Sequence, residues 1–394
     1  MARRLRLMLW SGLAVLVVLV IAGVGWIFSL PPAPEPRTMP PIAQAETDAM
    51  LAALKPPKRT RPLIAIVGIN DGSESTDYLM PYGILRRADV ADVVALAGAP
   101  GPVTLYPAAL KVEPQATIAE FDATHPDGAD YVIVPAMARN DDPAILDWLK
   151  SQSAKGAMII GVCAGALVVG EAGLLDGKRA TTHWYYLDAL LEKHPTIHYV
   201  ADRRMVIDGN VATTTGITAS MPLSLTLIEA IAGRAKAEAV ARELGVRAWD
   251  ARHDSAVFTF TRPFALTAIA NKLPAWEHES LGMHLAPGLD EVALALVSDA
   301  WSRTFRSRAI TFAVTGDAVE TRDGIRLLPD RTAASWPTER LLASIGTRKP
   351  AAALEEALSA IAKRYGANTA DFVAMQLEYP KESQASVMSD TSTH

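Results

Sequence analysis

The feature that most restricts the architecture of this chain is a set of short apolar runs set between helix-like segments. "PLIAIVGI" (62–69), "ADYVIVPA" (129–136) and "AMIIGV" (157–162) place apolar residues on successive positions. A strand of that kind must be buried on both faces, which happens where helices cover both sides of a parallel sheet. The segments between them fit this. "STDYLMPYGILRRADV" (75–90) reads as an amphipathic helix and "ADVVALAG" (91–98) as the next strand. "VTLYPAALKVEPQATIAEF" suggests short strands and a turn. "PAILDWLKSQSAKG" (143–156) reads as a helix with Ile145, Leu146 and Leu149 on one face. "HYVADRRMVIDGNVATTT" (198–215) reads as two edge strands with Asp208-Gly209 as the hairpin turn, and "SMPLSLTLIEAIAG" as a closing helix. The alternation predicts a doubly wound, mostly parallel α/β sandwich over 62–235.

The N-terminus follows a different rule. "MARRLR" carries Arg3, Arg4 and Arg6, and residues 7–30 run without a charge. As a helix that run is about 36 Å long, enough for a hydrocarbon core of about 30 Å. Trp10 and Trp26 sit near its ends, where interfacial aromatics belong. The basic residues precede the span, so 1–6 are expected to be a cytoplasmic tip, 7–30 a transmembrane anchor, and the main domain extracytoplasmic. The competing reading is a cleaved signal peptide; the run is long for one, and "FSLPPAPEP" offers no convincing cleavage site. Residues 31–61, opening on "PPAPEPRTMPP", read as a semi-rigid linker. The polar tail 381–394 is expected to be disordered.

Cys163 is the only cysteine in 394 residues, so an internal disulfide is excluded and a reacting thiol has no resolving partner in its own chain. "IIGVCAGA" puts it between a buried strand and a helix, with Gly161 and Gly165 flanking it. Small residues two before and two after are what a strand-to-helix nucleophile elbow requires. The following helix would turn free N–H groups and its positive end toward the sulfur. A thiol of pKa near 8.5 is about 3% thiolate at pH 7, and one lowered to about 6 is roughly 90%. The alternative is an inert thiol filling space.

The segments "GVCAGALVVGEAGLLDGKRATTHW", "DYLMPYGILRRADV" and "VIDGNVATTTGITASMPLSLTLIEAI" resemble the ThiJ/PfpI family of the class I glutamine amidotransferase-like superfamily. The resemblance covers about 62–235 and is similar in style to the amidotransferase-like domains of AraC-type regulators. It implies a flavodoxin-like sandwich with Cys163 as nucleophile. It also implies that Asp77, four residues before Pro81, hydrogen-bonds the cysteine, and that His183 in "TTHW" lies near the thiol as base or orienter. Where related proteins carry "PGG" to form an oxyanion hole, this chain has "VPAM", so the expected donors are the N–H groups of Ala136, Met137 and Ala164. Peptidase-like members have a histidine at the position of Ala164, which argues against protease activity here.

Nothing in the net charge of −5 suggests a nucleic-acid surface. His194/His198 and His278/His284 lack metal-site patterns, and no phosphate loop or dinucleotide fingerprint occurs, so neither metal nor cofactor is expected. Residues 236–380 echo the first half: "GLDEVALALVSDAWSRTFRSRAITFAVTGDAVETRDGIRLLPD" follows the order of "STDYLMPYGILRRADVADVVALAGAPGPVTLYPAALKVEP". They read as a degenerate second copy or as an unrelated α+β extension, with Leu354, Leu358, Ile361 and Tyr365 striping a late helix. The expected function is a cysteine-dependent hydrolase or lyase acting on small amides, nitriles or reactive carbonyls. The alternatives are a ligand-binding sensory module and a redox-sensing cysteine. The expected partners are a small molecule and the membrane but no nucleic acid, with a homodimer among the assemblies open to the chain.

Overall fold

The computed structural model describes residues 2–108 and 110–379; the tail 381–394 lies outside the described residues. Helix α1 (Ala2–Ser29) contains the window Gly12–Ser29, with mean hydropathy 2.5 and no part of it buried. By length and composition it is able to cross a membrane. The proline-rich stretch that follows is bonded to the body along its length. The Pro31 carbonyl accepts the N–H of Arg262, and Arg37 bridges Asp254 and Asp202 at 2.6 and 3.0 Å. Helix α2 (Gln44–Ala53) is held through Glu46 to Arg203 at 2.6 Å. Arg59 meets Asp130 at 2.7 Å.

The body begins with β1 (Leu63–Gly68), β2 (Ser73–Glu74), α3 (Ser75–Ala88), β3 (Asp92–Ala97), the hairpin β4 (Val103–Tyr106) and β5 (Lys111–Glu113), and β6 (Ala116–Thr117). It continues through α4 (Ile118–Thr124), β7 (Tyr131–Val134), α5 (Pro143–Ala154), β8 (Met158–Gly161), α6 (Gly165–Glu171), β9 (Arg179–Ala180), α7 (Leu187–Lys193) and β10 (His198–Tyr199). The hairpin β11 (Met205–Asp208) and β12 (Val211–Thr214) and the helices α8 (Ser220–Ala232) and α9 (Arg234–Leu244) complete this half. The main sheet has the order β11-β12-β8-β7-β1-β3-β6 and is parallel except for β11. Ile64 and Ile66 of β1 join one core with α3 and α8, while Leu63, Ala65 and Val67 join the other with α5 and α6. That two-sided burial is why the run shows no alternation; each such aliphatic side chain contributes about 1.5–3 kcal/mol.

Two local expectations change. Only β11 is an edge strand of the hairpin, because β12 also pairs in parallel with β8. Helix α3 is not amphipathic in use: every residue from Ser75 to Leu85 is buried. The reason lies in the second half, which covers its outer face.

That half contains α10 (Arg262–Lys272), β13 (Glu279–His284), α11 (Glu291–Ser302), β14 (Ser307–Ala313), β15 (Val319–Glu320), β16 (Arg326–Leu328), β17 (Arg331–Thr332), α12 (Pro350–Tyr365) and α13 (Ala367–Gln376). Strands β13, β14 and β17 form a parallel three-stranded sheet. Strand β16 pairs antiparallel with β5, so one sheet, β15-β16-β5-β4-β2, runs across both halves. Leu79 of α3, Leu294 of α11 and Leu354 of α12 belong to a single core.

Candidate active site

The chain runs from β1 outward to β3 and β6, then returns to β7 on the other side of β1. Ligands of open α/β sheets bind at such a reversal, beyond the carboxyl ends of the strands. Asp77 follows β1, Ala136 follows β7 and Cys163 follows β8, so all three sit at that edge. Cys163 has φ +57°, a left-handed conformation a side chain adopts only where the surroundings impose it. The surroundings are specific. Its N–H donates to Thr214 Oγ1 at 3.1 Å, and its carbonyl accepts from Thr182 Oγ1 at 2.9 Å. A Cβ at Gly165 would land on the Val134 carbonyl oxygen, and one at Gly161 would lie 3.0 Å from the Ala166 nitrogen. Both glycines are therefore needed for the elbow to sit against β7 and its own helix.

Asp77 is fully buried, accepts the N–H of Ala136 at Oδ2 (3.1 Å), and leaves Oδ1 without a partner among the described residues. Burial, then the charge of Glu74, push its carboxyl well above the usual range. The expected activation of the thiol by the helix end is reversed. Burial, followed by Asp77 and Glu74, pushes Cys163 up. Helix α6 has only seven residues, and its end does not offset two acidic neighbours in a site where Cys163 is 3% exposed.

Glu74 and Arg303 have a part that the sequence reading missed. Glu74 caps α3, accepting from the Asp77 N–H at 2.8 Å and from Thr76 Oγ1 at 2.6 Å. Arg303 arrives from α11 and donates to Glu74 at 3.0 Å and to Asp299 at 2.7 Å. Burial works against the charge of Arg303, yet Asp299 and Glu74 more than restore it. Glu74 precedes a helix in a capping position, a signal visible in "SEST". Arg303 stands 229 residues from Glu74, and nothing local marks it.

The remaining expected residues divide. His183 is buried with both ring nitrogens engaged: Nε2 with the Gln376 carbonyl at 2.9 Å and Nδ1 with the Tyr185 N–H at 3.1 Å. Burial pulls its pKa down to about 3, so it is a neutral ring that caps a turn and offers the thiol no nitrogen as base. The Ala136 N–H is committed to Asp77 and is removed from the set of oxyanion donors. Met137 is half-buried at the rim, bridging to Ser73, and the Ala164 N–H enters none of the described hydrogen bonds. Glu378, pushed up to about 7 by burial, accepts the Trp184 N–H at 2.8 Å and faces His253 at 3.2 Å. A cleft of about 500 Å³ is lined by Thr182, Trp184, Thr215, His253 and Glu378, next to the elbow. A larger one, about 750 Å³, lies between the linker, α10 and α13. Neither is lined by Cys163.

A family model described as the DJ-1/PfpI family matches residues 64–230. Isonitrile hydratase of Pseudomonas putida is 35% identical over 176 residues, which cover 43% of this chain and 73% of that protein. The chain belongs to the DJ-1/PfpI family. The HTH-type transcriptional regulator CdhR of Pseudomonas aeruginosa is 43% identical over 86 residues, 22% of this chain and 25% of the regulator. Among solved structures, that of Drosophila melanogaster DJ-1beta aligns with TM-score 0.42 and 24% identity, over 48% of this chain and 100% of that one.

Proposed function

We propose that the chain is a cysteine-dependent enzyme that adds water to a small electrophile, with isonitriles as the first class to test. The observation that carries this is the buried Asp77 carboxyl, with Oδ1 unpartnered among the described residues, at the strained elbow of Cys163, the carboxyl and the thiol both pushed up by burial. Such a pair works without a preformed thiolate. Sγ bonds to the substrate carbon, Asp77 gives its proton to the substrate, and the thiol proton replaces it on the carboxyl group. For an isonitrile R–NC the adduct is the thioformimidate R–N=CH–S–Cys163. Water then adds to that carbon, the C–S bond breaks, and the formamide R–NH–CHO leaves with the thiol restored. The similarity to isonitrile hydratase supports this class.

The test is turnover of cyclohexyl isonitrile, followed as formamide by mass spectrometry. Cys163→Ser is expected to lower kcat/KM by more than about 10³-fold; formamide release at the wild-type rate would end the proposal. Iodoacetamide labelling is expected to be slow at pH 6–7 and to climb only above the ordinary thiol range, because burial and the acids raise Cys163. A second reading, a ligand-sensing module without turnover, is favoured by one observation: Cys163 is 3% exposed and lines neither cleft.

We also propose that α1 anchors the protein in the cytoplasmic membrane, with the body on the outer side. Beyond hydropathy, the support is an apolar stripe where the body meets the end of α1. Arg262 donates to the carbonyls of Phe28 and Leu30, and the Trp26 ring lies tilted against Phe260 with centroids 6.0 Å apart. From that point Leu266, Ile269, Leu273 and Trp276 stand exposed, the last two at 71% and 85%. Such a stripe is expected to rest in the bilayer interface. The full chain should stay with membranes through alkaline carbonate extraction, and release into the supernatant would overturn the anchor.

A further inference from the structure

We propose that residues 279–332 are a truncated second copy of residues 63–117, packed against the first about a local twofold axis, and that this built-in partner supplies Arg303 as a positioning residue for Cys163. The Arg303 part rests on reading Cys163 as the nucleophile.

The order of elements repeats. Strand, helix, strand, hairpin and short strand run as β1, α3, β3, β4–β5, β6 and again as β13, α11, β14, β15–β16, β17, the two-residue β2 ahead of α3 having no counterpart ahead of α11. So does the pairing. β1 and β3 run parallel over six pairs from Leu63 opposite Asp92, and β13 and β14 over six pairs from Glu279 opposite Ser307. The last two residues of β3 pair with β6, and the last two of β14 pair with β17. The hairpin and short strand read "LKVEPQAT" (110–117) in the first copy and "IRLLPDRT" (325–332) in the second.

The way the copies meet is stronger than their likeness. β5 lies antiparallel to β16 with Val112 opposite Leu327 at the centre, and each residue holds the same place in its own copy. That is a self-complementary pairing of the kind that joins identical subunits. The helices obey the same axis. Arg87, near the end of α3, donates to Asp290, the N-cap of α11, at 2.8 Å. Arg303, at the end of α11, donates to Glu74, the N-cap of α3, at 3.0 Å. An unrelated extension has no reason to return one contact twice. Gly83 permits the close approach: a Cβ there would lie 2.8 Å from Val292 of α11. The second copy is a partner and not a second site, because the third residue of α11 is Ala293 where that of α3 is Asp77.

The symmetry-related arginines end in different surroundings. Arg87 lies between Asp290 and Asp323. Arg303 lies between Glu74 and Asp299, and Glu74 in turn accepts the N–H of Asp77 at 2.8 Å, so the guanidinium holds the acid that seats Asp77 at the elbow and sets its positive charge against the acids around the thiol.

The experiment uses the full chain in detergent. Arg303→Met, Arg303→Lys and Arg87→Met are compared by thermal melting and by the pH profile of Cys163 alkylation. Both Met variants are expected to lower Tm. Arg303→Met alone should also move the alkylation profile to higher pH, with a rate at least about tenfold lower at fixed pH, and Arg303→Lys should recover part of it. If Arg303→Met fails to fold, Arg303→Lys against Arg87→Met decides. An Arg303 profile superimposed on wild type, or an equal shift from Arg87→Met, overturns the positioning role. For the built-in partner, Val112→Cys with Leu327→Cys in a Cys163→Ser background should oxidise to a link within one chain. A link between chains, or none, overturns it. Neither readout uses turnover, so the substrate reading stands or falls separately.

Discussion

Alanine at Gly165 is expected to leave no stably folded protein. The added methyl meets the Val134 carbonyl oxygen and lies 3.0 Å from the Pro135 carbonyl group, all backbone of the neighbouring strand end. Backbone in the middle of a sheet has little room to move, unlike the tip of a side chain, so the clash is relieved only by pulling the elbow away from β7. That also breaks the hydrogen bonds that hold Cys163 to Thr214 and Thr182. Ordinary overpacking costs about 1–3 kcal/mol, and a clash this hard is expected to exceed about 4 kcal/mol, a large part of a domain's total stability of about 5–15 kcal/mol. Thermal melting and soluble yield report it. Gly161→Ala, whose methyl meets atoms at 3.0–3.1 Å, should fold with a loss of about 1–2 kcal/mol. A soluble Gly165→Ala protein with the wild-type Tm would show that the elbow is not packed as described.

Asp77→Asn should separate catalysis from folding. The amide keeps the shape and still accepts the Ala136 N–H, but it has no acidic proton to give. Turnover is expected to fall by about 10²–10⁴-fold, the usual worth of a positioned acid. Stability should move the other way with pH. The folded-state pKa of Asp77 lies above its unfolded value, so the folded state binds the extra proton between the two. That contribution is fully present below the unfolded pKa and is lost as pH rises through the folded pKa. The Asn variant lacks this loss, so its Tm relative to wild type should grow from pH 4 to pH 8. Unchanged turnover in Asp77→Asn would remove the acid from the mechanism.

How much of this was legible depended on distance along the chain. β1 and β8 announce themselves because burial on both faces erases alternation. The elbow is legible because glycine at 161 and 165 answers a local steric need that any reader can infer. The helix α3 is legible as a helix, but its full burial is not, since the covering surface comes from α11. For the same reason the electrostatics of the thiol were read with the wrong sign. The helix end is written next to Cys163, while its depth and the acids around it are set by packing. His183 shows the converse: a histidine beside a motif invites a catalytic role, and its two hydrogen bonds are visible only in three dimensions.

The bonded linker carries a last consequence. A free spacer of prolines would let the body sweep a hemisphere above its anchor. Arg262 clasps the end of α1 instead, Arg37 bolts the proline-rich segment that follows, and Glu46 and Arg59 fasten the rest. With α1 in a bilayer, as proposed, the body is grounded at one height and one tilt. Its catch would then be set by what partitions into or drifts along the membrane surface, a search in two dimensions, and lengthening the linker would not extend its range until those bolts are undone.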